Sequence, residues 1–261
     1  MSRSLKAFVW SALGLVFLIA GIYLGPQTIT YFRLRPLLLR PADDPPRGWS
    51  SVPRPLGDTA ISTAEVKVSN LSFYGYRFEV PWKEIDKQWD DGRTVRVQFK
   101  TGETVQFNNP EYFQDNPINS KAVNDDLDHF GIAFGKGISE SKYEQLRAVL
   151  SATPGQFSPF RSHTEFARVL VLLELKGLWF EHNTAAPGIF SFATDTFRGF
   201  EVSGLSRGWQ NVTLHLFDKT DHWFRINIQG DERLGVRVTQ PQINRIIQSF
   251  SSVATDSKAA H

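Results

Sequence analysis

One uncharged apolar run, Ala7 to Leu24, constrains this chain more than any other feature; it reads AFVWSALGLVFLIAGIYL. Its eighteen residues, at about 1.5 Å of rise each, span roughly 27 Å as a helix, close to the thickness of a bilayer's hydrocarbon core. Arg3 and Lys6 precede the run, and Trp10 and Tyr23 sit near its ends, where amphipathic rings favour the interface. A cleavable signal peptide shares the basic start and apolar centre, but it needs small residues one and three positions before the cut. Ala20 and Gly21 are small, yet Leu18 lies two positions before Ala20, and Ile22 and Tyr23 follow at once. With no cysteine in the chain, a lipid-modified cysteine is excluded. The run is therefore read as a retained single-pass signal-anchor, residues 1–25.

Orientation rests on the flanking cations. Arg3 and Lys6 on one side nearly balance Arg33, Arg35 and Arg40 on the other. A very short basic amino-terminal tail usually stays in the cytoplasm. The expected location is a bacterial inner membrane, with the following domain outside the cytoplasm. Zero cysteines suit either compartment.

Residues 26–60 read as a linker, because Pro26, Pro36, Pro41, Pro45, Pro46, Pro53 and Pro55 fall there. Proline fixes φ and lacks the amide donor, so an extended, semi-rigid spacer without regular helix is expected. Five arginines, Arg33 to Arg54, exceed the chain's net charge of +2. They read as a solvated juxtamembrane segment or as a contact for anionic headgroups. The rest is then near neutral, without the broad basic face that nucleic acid requires.

Residues 61–253 read as one α+β domain, and 254–261 as a disordered polar tail. A strand runs from Phe73 to Val80, where Tyr76, Phe78 and Val80 alternate with Arg77 and Glu79, and Pro81-Trp82 ends it. Val95, Val97 and Phe99 face Phe107, Val105 and Glu103 across Lys100-Thr101-Gly102, with Gly102 in the left-handed position. Ser141 and Glu144 frame a capping box, and Thr153-Pro154-Gly155 stops that helix. Ser162 and Glu165 open a second helix, apolar nearly all round, which Gly177 ends. Strands at 189–192 and 199–205 follow. Val212, Leu214 and Leu216 then pair with Ile228, Ile226 and Phe224. Thr239, Pro241 and Gln242 open a last helix whose apolar face is Ile243, Ile246, Ile247 and Phe250. Strands with segregated helices give an α+β fold with a mainly antiparallel sheet and packed helices, preceded by the one transmembrane helix.

That closing hairpin and helix, ending Ile246-Ile247-Gln248-Ser249-Phe250, resembles the close of PsbP-like domains. The strand end Phe78-Glu79-Val80-Pro81-Trp82 is similar to that family's opening. The likeness covers about 40 carboxy-terminal residues and ten near the start. It implies a non-enzymatic accessory or assembly domain, and no functional residue carries over.

No reaction is legible in the residues. Read as a calcium loop from Asp126, the run Asn124 to His129 places Asp128 and Gly131 correctly. It fails at Phe130, a ligand position, and at Gly137, where a bidentate Glu is needed. No two histidines make an H-x-x-x-H pair. His215 and His222 lie near one hairpin tip with Asp218 and Asp221, but in the expected register His215 faces Arg225 and His222 belongs to the loop. His163 reads as a first-turn helix residue. Gly135-Lys136-Gly137 lacks phosphate-loop spacing, and there is no G-x-S-x-G. Asn70-Leu71-Ser72 and Asn211-Val212-Thr213 match the glycosylation pattern but fall in or beside strands. Trp179, Phe180, Phe190, Phe192, Phe197 and Phe200 crowd one region, as core or as an apolar groove. No catalytic, cofactor or metal residue is assigned. The leading expectation is a membrane-anchored binding or assembly module for a partner protein, a lipid or an apolar ligand. An extracytoplasmic hydrolase or metal-dependent enzyme, and a purely structural envelope component, stay open.

Overall fold

Two hairpins build the centre of the main sheet, and the turn of one explains why it closes where it does. In the computed structural model, which describes residues 25, 28–33, 51–57, 68–110, 141–180, 188–205 and 210–253, the strands are β1 (Arg54–Pro55), β2 (Ser69–Phe73), β3 (Tyr76–Val80), β4 (Ile85–Asp90), β5 (Thr94–Phe99) and β6 (Thr104–Asn108), then β7 (Gly188–Ala193), β8 (Phe197–Ser203), β9 (Asn211–Asp218), β10 (Trp223–Gln229) and β11 (Ser251–Ser252). The helices are α1 (Lys142–Ser151), α2 (His163–Phe180) and α3 (Gln240–Ser249). The anchor run 7–24, the acidic run 124–129, Gly135 to Gly137 and the tail 254–261 lie outside the described residues. Among the described residues no helix is long and apolar enough to cross a membrane.

The fold is α+β with mostly antiparallel sheets. Eight strands run in the order β1-β7-β8-β9-β10-β6-β5-β4, and β11-β3-β2 form a second sheet. Between β5 and β6, Val97 faces Val105 and Val95 faces Phe107. Gly102 holds φ +104°, and its amide donates to Phe99 O at 2.9 Å, the glycine-bulge turn expected from its position. Between β9 and β10, Val212, Leu214 and Leu216 face Ile228, Ile226 and Phe224.

One face of the eight-stranded sheet is mainly apolar over β5, β6, β9 and β10. The small sheet and α3 close over it, burying Phe78, Phe107, Leu214, Phe224, Ile226, Ile246 and Phe250 in one core. The other face is divided. Over β7 to β10, α1 places Leu146 and Leu150 on Ile189, Phe200, Val202, Phe217 and Trp223. Helix α2 packs beside α1 through Phe166, Leu170 and Leu173, with Tyr31 and Phe157 joining that cluster. Toward β4 the same face is polar.

Four expectations need correction. The stretch 73–80 is not one strand: Tyr74 and Gly75 take φ of 50° and 81°, and this two-residue turn folds β2 onto β3. Gly177 does not end the second helix, which runs through it to Phe180; burial of Leu173 and Leu175 in the preceding turn outweighs the roughly 1 kcal/mol propensity penalty of one glycine. The proline-rich linker contains a helix, 28–33. Residues 28–33 themselves contain no proline, so each backbone amide there can donate. The linker's far end joins the sheet: β1 pairs parallel with β7, and Leu56 N donates to Ser191 O at 2.8 Å. Pro55 is tolerated there because β1 is an edge.

Candidate functional site

His215, Asp218, Asp221 and His222 gather near one hairpin tip in the sequence, and the structure shows how each is used. A cleft of about 380 Å³ opens between the β7–β8 turn and the β9–β10 turn, lined by Asp195, Phe197, Arg198, Phe217, Asp218 and Lys219. Asp218 Oδ1 accepts from Thr220 N at 2.8 Å, Thr220 Oγ1 at 2.7 Å and His222 N at 3.0 Å, and its Oδ2 lies 3.2 Å from His222 Nδ1. These bonds tie one loop to itself. Asp221, at φ 64°, points the other way. Its carboxylate accepts from Ser141 Oγ at 3.0 Å, from Tyr143 N at 3.3 Å and from Lys142 N, so it caps α1 from across the fold. Arg198 stands 3.5 Å from that carboxylate and 4.1 Å over the Tyr143 ring.

His215 and His222 are not brought together. His215 lies in mid-strand opposite Arg225, buried, with the Trp223 ring 5.7 Å away. Burial first, and the Arg225 charge second, lower its pKa to about 3. It is a neutral structural imidazole, while His222 is exposed on the loop. His163 is the first residue of α2. Asp126, Asp128 and His129 lie outside the described residues, as do His182 and His261. Among the described residues no three His, Cys, Asp or Glu side chains gather as metal ligands.

Two buried ionisable groups escaped the sequence reading. Glu201 is fully buried on the core face, where its Oε2 accepts from Gln240 Nε2 at 2.7 Å. Desolvation raises its pKa, against the bonds from Gln240 and Ser203. Lys176 is also fully buried, and its Nζ donates to Leu150 O at 2.8 Å, Ala152 O at 2.6 Å and Ser51 O at 2.5 Å. Burial lowers its pKa to about 7. The three carbonyls nevertheless match the three protons of an ammonium, so the cage fits the charged form. Two of those carbonyls end α1, where a helix carries partial negative charge. Neither group faces the cleft. Local periodicity gives no warning of either, because Gln240, Leu150, Ala152 and Ser51 lie far from them in sequence.

The surface left for recognition is the polar half of the sheet. Cross-strand pairing aligns Thr213, Asn227, Gln106, Arg96 and Trp89 in one row, from β9 to the edge strand β4. Thr213 Oγ1 donates to Asn227 Oδ1 at 3.1 Å, and the Arg96 guanidinium lies 5.7 Å over the Trp89 ring. The next row holds Phe200, His215, Arg225, Asn108 and Thr94. All six residues of β4 are exposed, and no described strand pairs beyond it. Ile85 and Trp89 are 43% and 47% exposed there. The sequence reading missed β4, because IDKQWD has no apolar alternation and a bulge between Ile85 and Lys87 breaks its register. The lone tryptophan in a charged segment was the available signal. By contrast, Phe192, Phe197 and Phe200 of the aromatic crowd are core residues.

Comparison with protein-family models, with curated proteins and with solved structures finds no match to this chain.

Proposed function

We propose that this chain is a membrane-anchored binding or assembly module that recognises a protein partner along β4 and the polar row behind it. The observation that carries the reading is the contrast between the two edges of the main sheet. At β7 the chain's own β1 fills the edge with an extended segment. At β4 the edge stays open among the described residues, with Trp89 at the end of a row of amide, hydroxyl and guanidinium groups. Open main-chain donors and acceptors take an added strand, and side chains of alternate register give selectivity. Asp86, Lys87 and Asp90 on the same strand discourage indiscriminate pairing. The membrane part of the proposal, an anchor in an inner membrane with the domain outside the cytoplasm, is supported by the apolar run 7–24. An accessory role like that of PsbP-like domains is supported by the β9–β10 hairpin followed by α3 and a buried Phe250. The enzyme alternative has less support, since Asp218 and Asp221 are committed to loop and cap bonds.

The test places a photoreactive amino acid at position 89 of the full chain in native membranes, with position 233, also exposed, as control. A discrete protein adduct from 89 and none from 233 is expected. Trp89→Ala should weaken the partner by about 2 kcal/mol, roughly thirtyfold, as for a central aromatic anchor. Equal adducts at both positions, or none at 89, would refute a partner surface at β4. Lipid adducts at 89 would favour the apolar-ligand alternative.

A further inference from the structure

Three of the exposed apolar side chains outside β4 lie on two segments that an aromatic contact joins. Ile29 and Phe32, on the helix 28–33, are 60% and 61% exposed, and Phe160, between α1 and α2, is 84% exposed. They come from segments far apart in sequence, and Tyr31 joins those segments. Its ring lies 5.6 Å from Phe157 and 5.5 Å from Phe32, and Phe157 in turn stacks on Phe166 at 4.7 Å. The aromatic contact therefore fixes the linker helix against the α1–α2 turn. Arg33 and Arg161 are both exposed beside the apolar residues. Large rings flanked by arginines are the side chains that favour the headgroup region of a bilayer.

The position of the anchor run says what would cover this patch. The run ends at Leu24, five residues before Ile29. Five residues reach at most about 18 Å when extended and about 7.5 Å as helix. The headgroup layer is on the order of 5–7 Å deep on each side of the hydrocarbon. A bilayer that holds residues 7–24 thus brings Ile29 into or just beyond its interface, and Phe160 follows through Tyr31 and Phe157.

We infer that Ile29, Phe32 and Phe160, flanked by Arg33 and Arg161, form a lipid-contact surface that seats the domain on the membrane in one orientation. The inference rests on the anchor reading. It assigns the arginine linker a headgroup role at Arg33, and it holds the end of the domain that carries α1 and α2 toward the lipid.

The absence of native cysteine makes a direct test possible. Phe160→Cys and, separately, Gln229→Cys in the full chain would be labelled with an environment-sensitive fluorophore and reconstituted in phosphatidylcholine–phosphatidylglycerol vesicles. Both positions are exposed, so neither substitution disturbs the core. The label at 160 should be blue-shifted and quenched several-fold more strongly by spin-labelled lipid than the label at 229. Phe32→Cys should behave like Phe160→Cys. Retention of the chain in alkali-washed vesicles with equal quenching at 160 and 229 would overturn the lipid surface and leave the anchor standing. A blue shift at 160 without lipid quenching would also overturn it, in favour of a contact between copies of the chain. Release of the chain by alkali would overturn the anchor and the inference together.

Discussion

Phe250→Ala should be among the most damaging single substitutions in the domain. Phe250 is 2% exposed and follows the last turn of α3. Its ring centroid lies 4.8 Å from Phe197, 5.5 Å from Phe78, 5.7 Å from Tyr76, 6.2 Å from Phe107 and 6.3 Å from Phe224. Those five rings sit on β3, β6, β8 and β10, in both sheets. A cavity at this point can collapse only if the two sheets move together, which their hydrogen-bonded ladders oppose. The cost should therefore fall in the upper part of the ~3–5 kcal/mol range for a buried Phe→Ala change. Loss of edge and stacked ring geometry adds to the transfer term, though not pair by pair. Urea unfolding of the full chain, followed by tryptophan fluorescence, measures the effect. With an m-value near the upper end of ~1–3 kcal/mol/M, about 4 kcal/mol lowers the midpoint by roughly 1.5 M. Deletion of 254–261 is the matched control. It keeps Val253, whose amide donates to Gly75 O at 2.9 Å, and should leave the midpoint unchanged. A shift below roughly 0.5 M for Phe250→Ala at the same m-value would refute the reasoning that this ring joins the two sheets.

Lys176→Met should strand the carbonyls of Leu150, Ala152 and Ser51, at about 1–3 kcal/mol for each group left buried and unsatisfied. Limited proteolysis should then cut sooner near residues 51–57, because the lysine tethers that segment. His215 predicts an acid limb. Its folded pKa of about 3 lies below the ordinary 6.5, so between those values the unfolded chain holds a proton that the folded one does not. Its contribution is complete above pH 6.5 and falls by up to about 1.4 kcal/mol per pH unit as the pH drops toward 3. His215→Phe should flatten the midpoint-against-pH curve over that window, and an unchanged slope would count against a neutral buried imidazole.

Local period and turn chemistry were legible in the residues alone. The β5–β6 and β9–β10 registers follow from apolar residues spaced two apart, helped in β5–β6 by Gly102 where φ must be positive, and both match to the residue. The caps at Ser141 and Thr239 and the apolar face of α3 follow from the same short-range logic. The α+β class came from the sum of these elements. Features that depend on distant partners were not legible there. β4 carries no apolar alternation because the side chains on both of its faces are exposed, so its existence is dictated by pairing with β5. Asp221 reads as a hairpin-tip acid in sequence, yet it caps a helix that begins 79 residues earlier. Lys176 is enclosed by three carbonyls, one of them from Ser51, 125 residues away. The polar row from Thr213 to Trp89 spans five strands, and each contributes one residue that is unremarkable alone. Local sequence fixes dihedral angles and the face a side chain takes. Which faces meet depends on sheet order, and that order is set by burial summed over the whole domain.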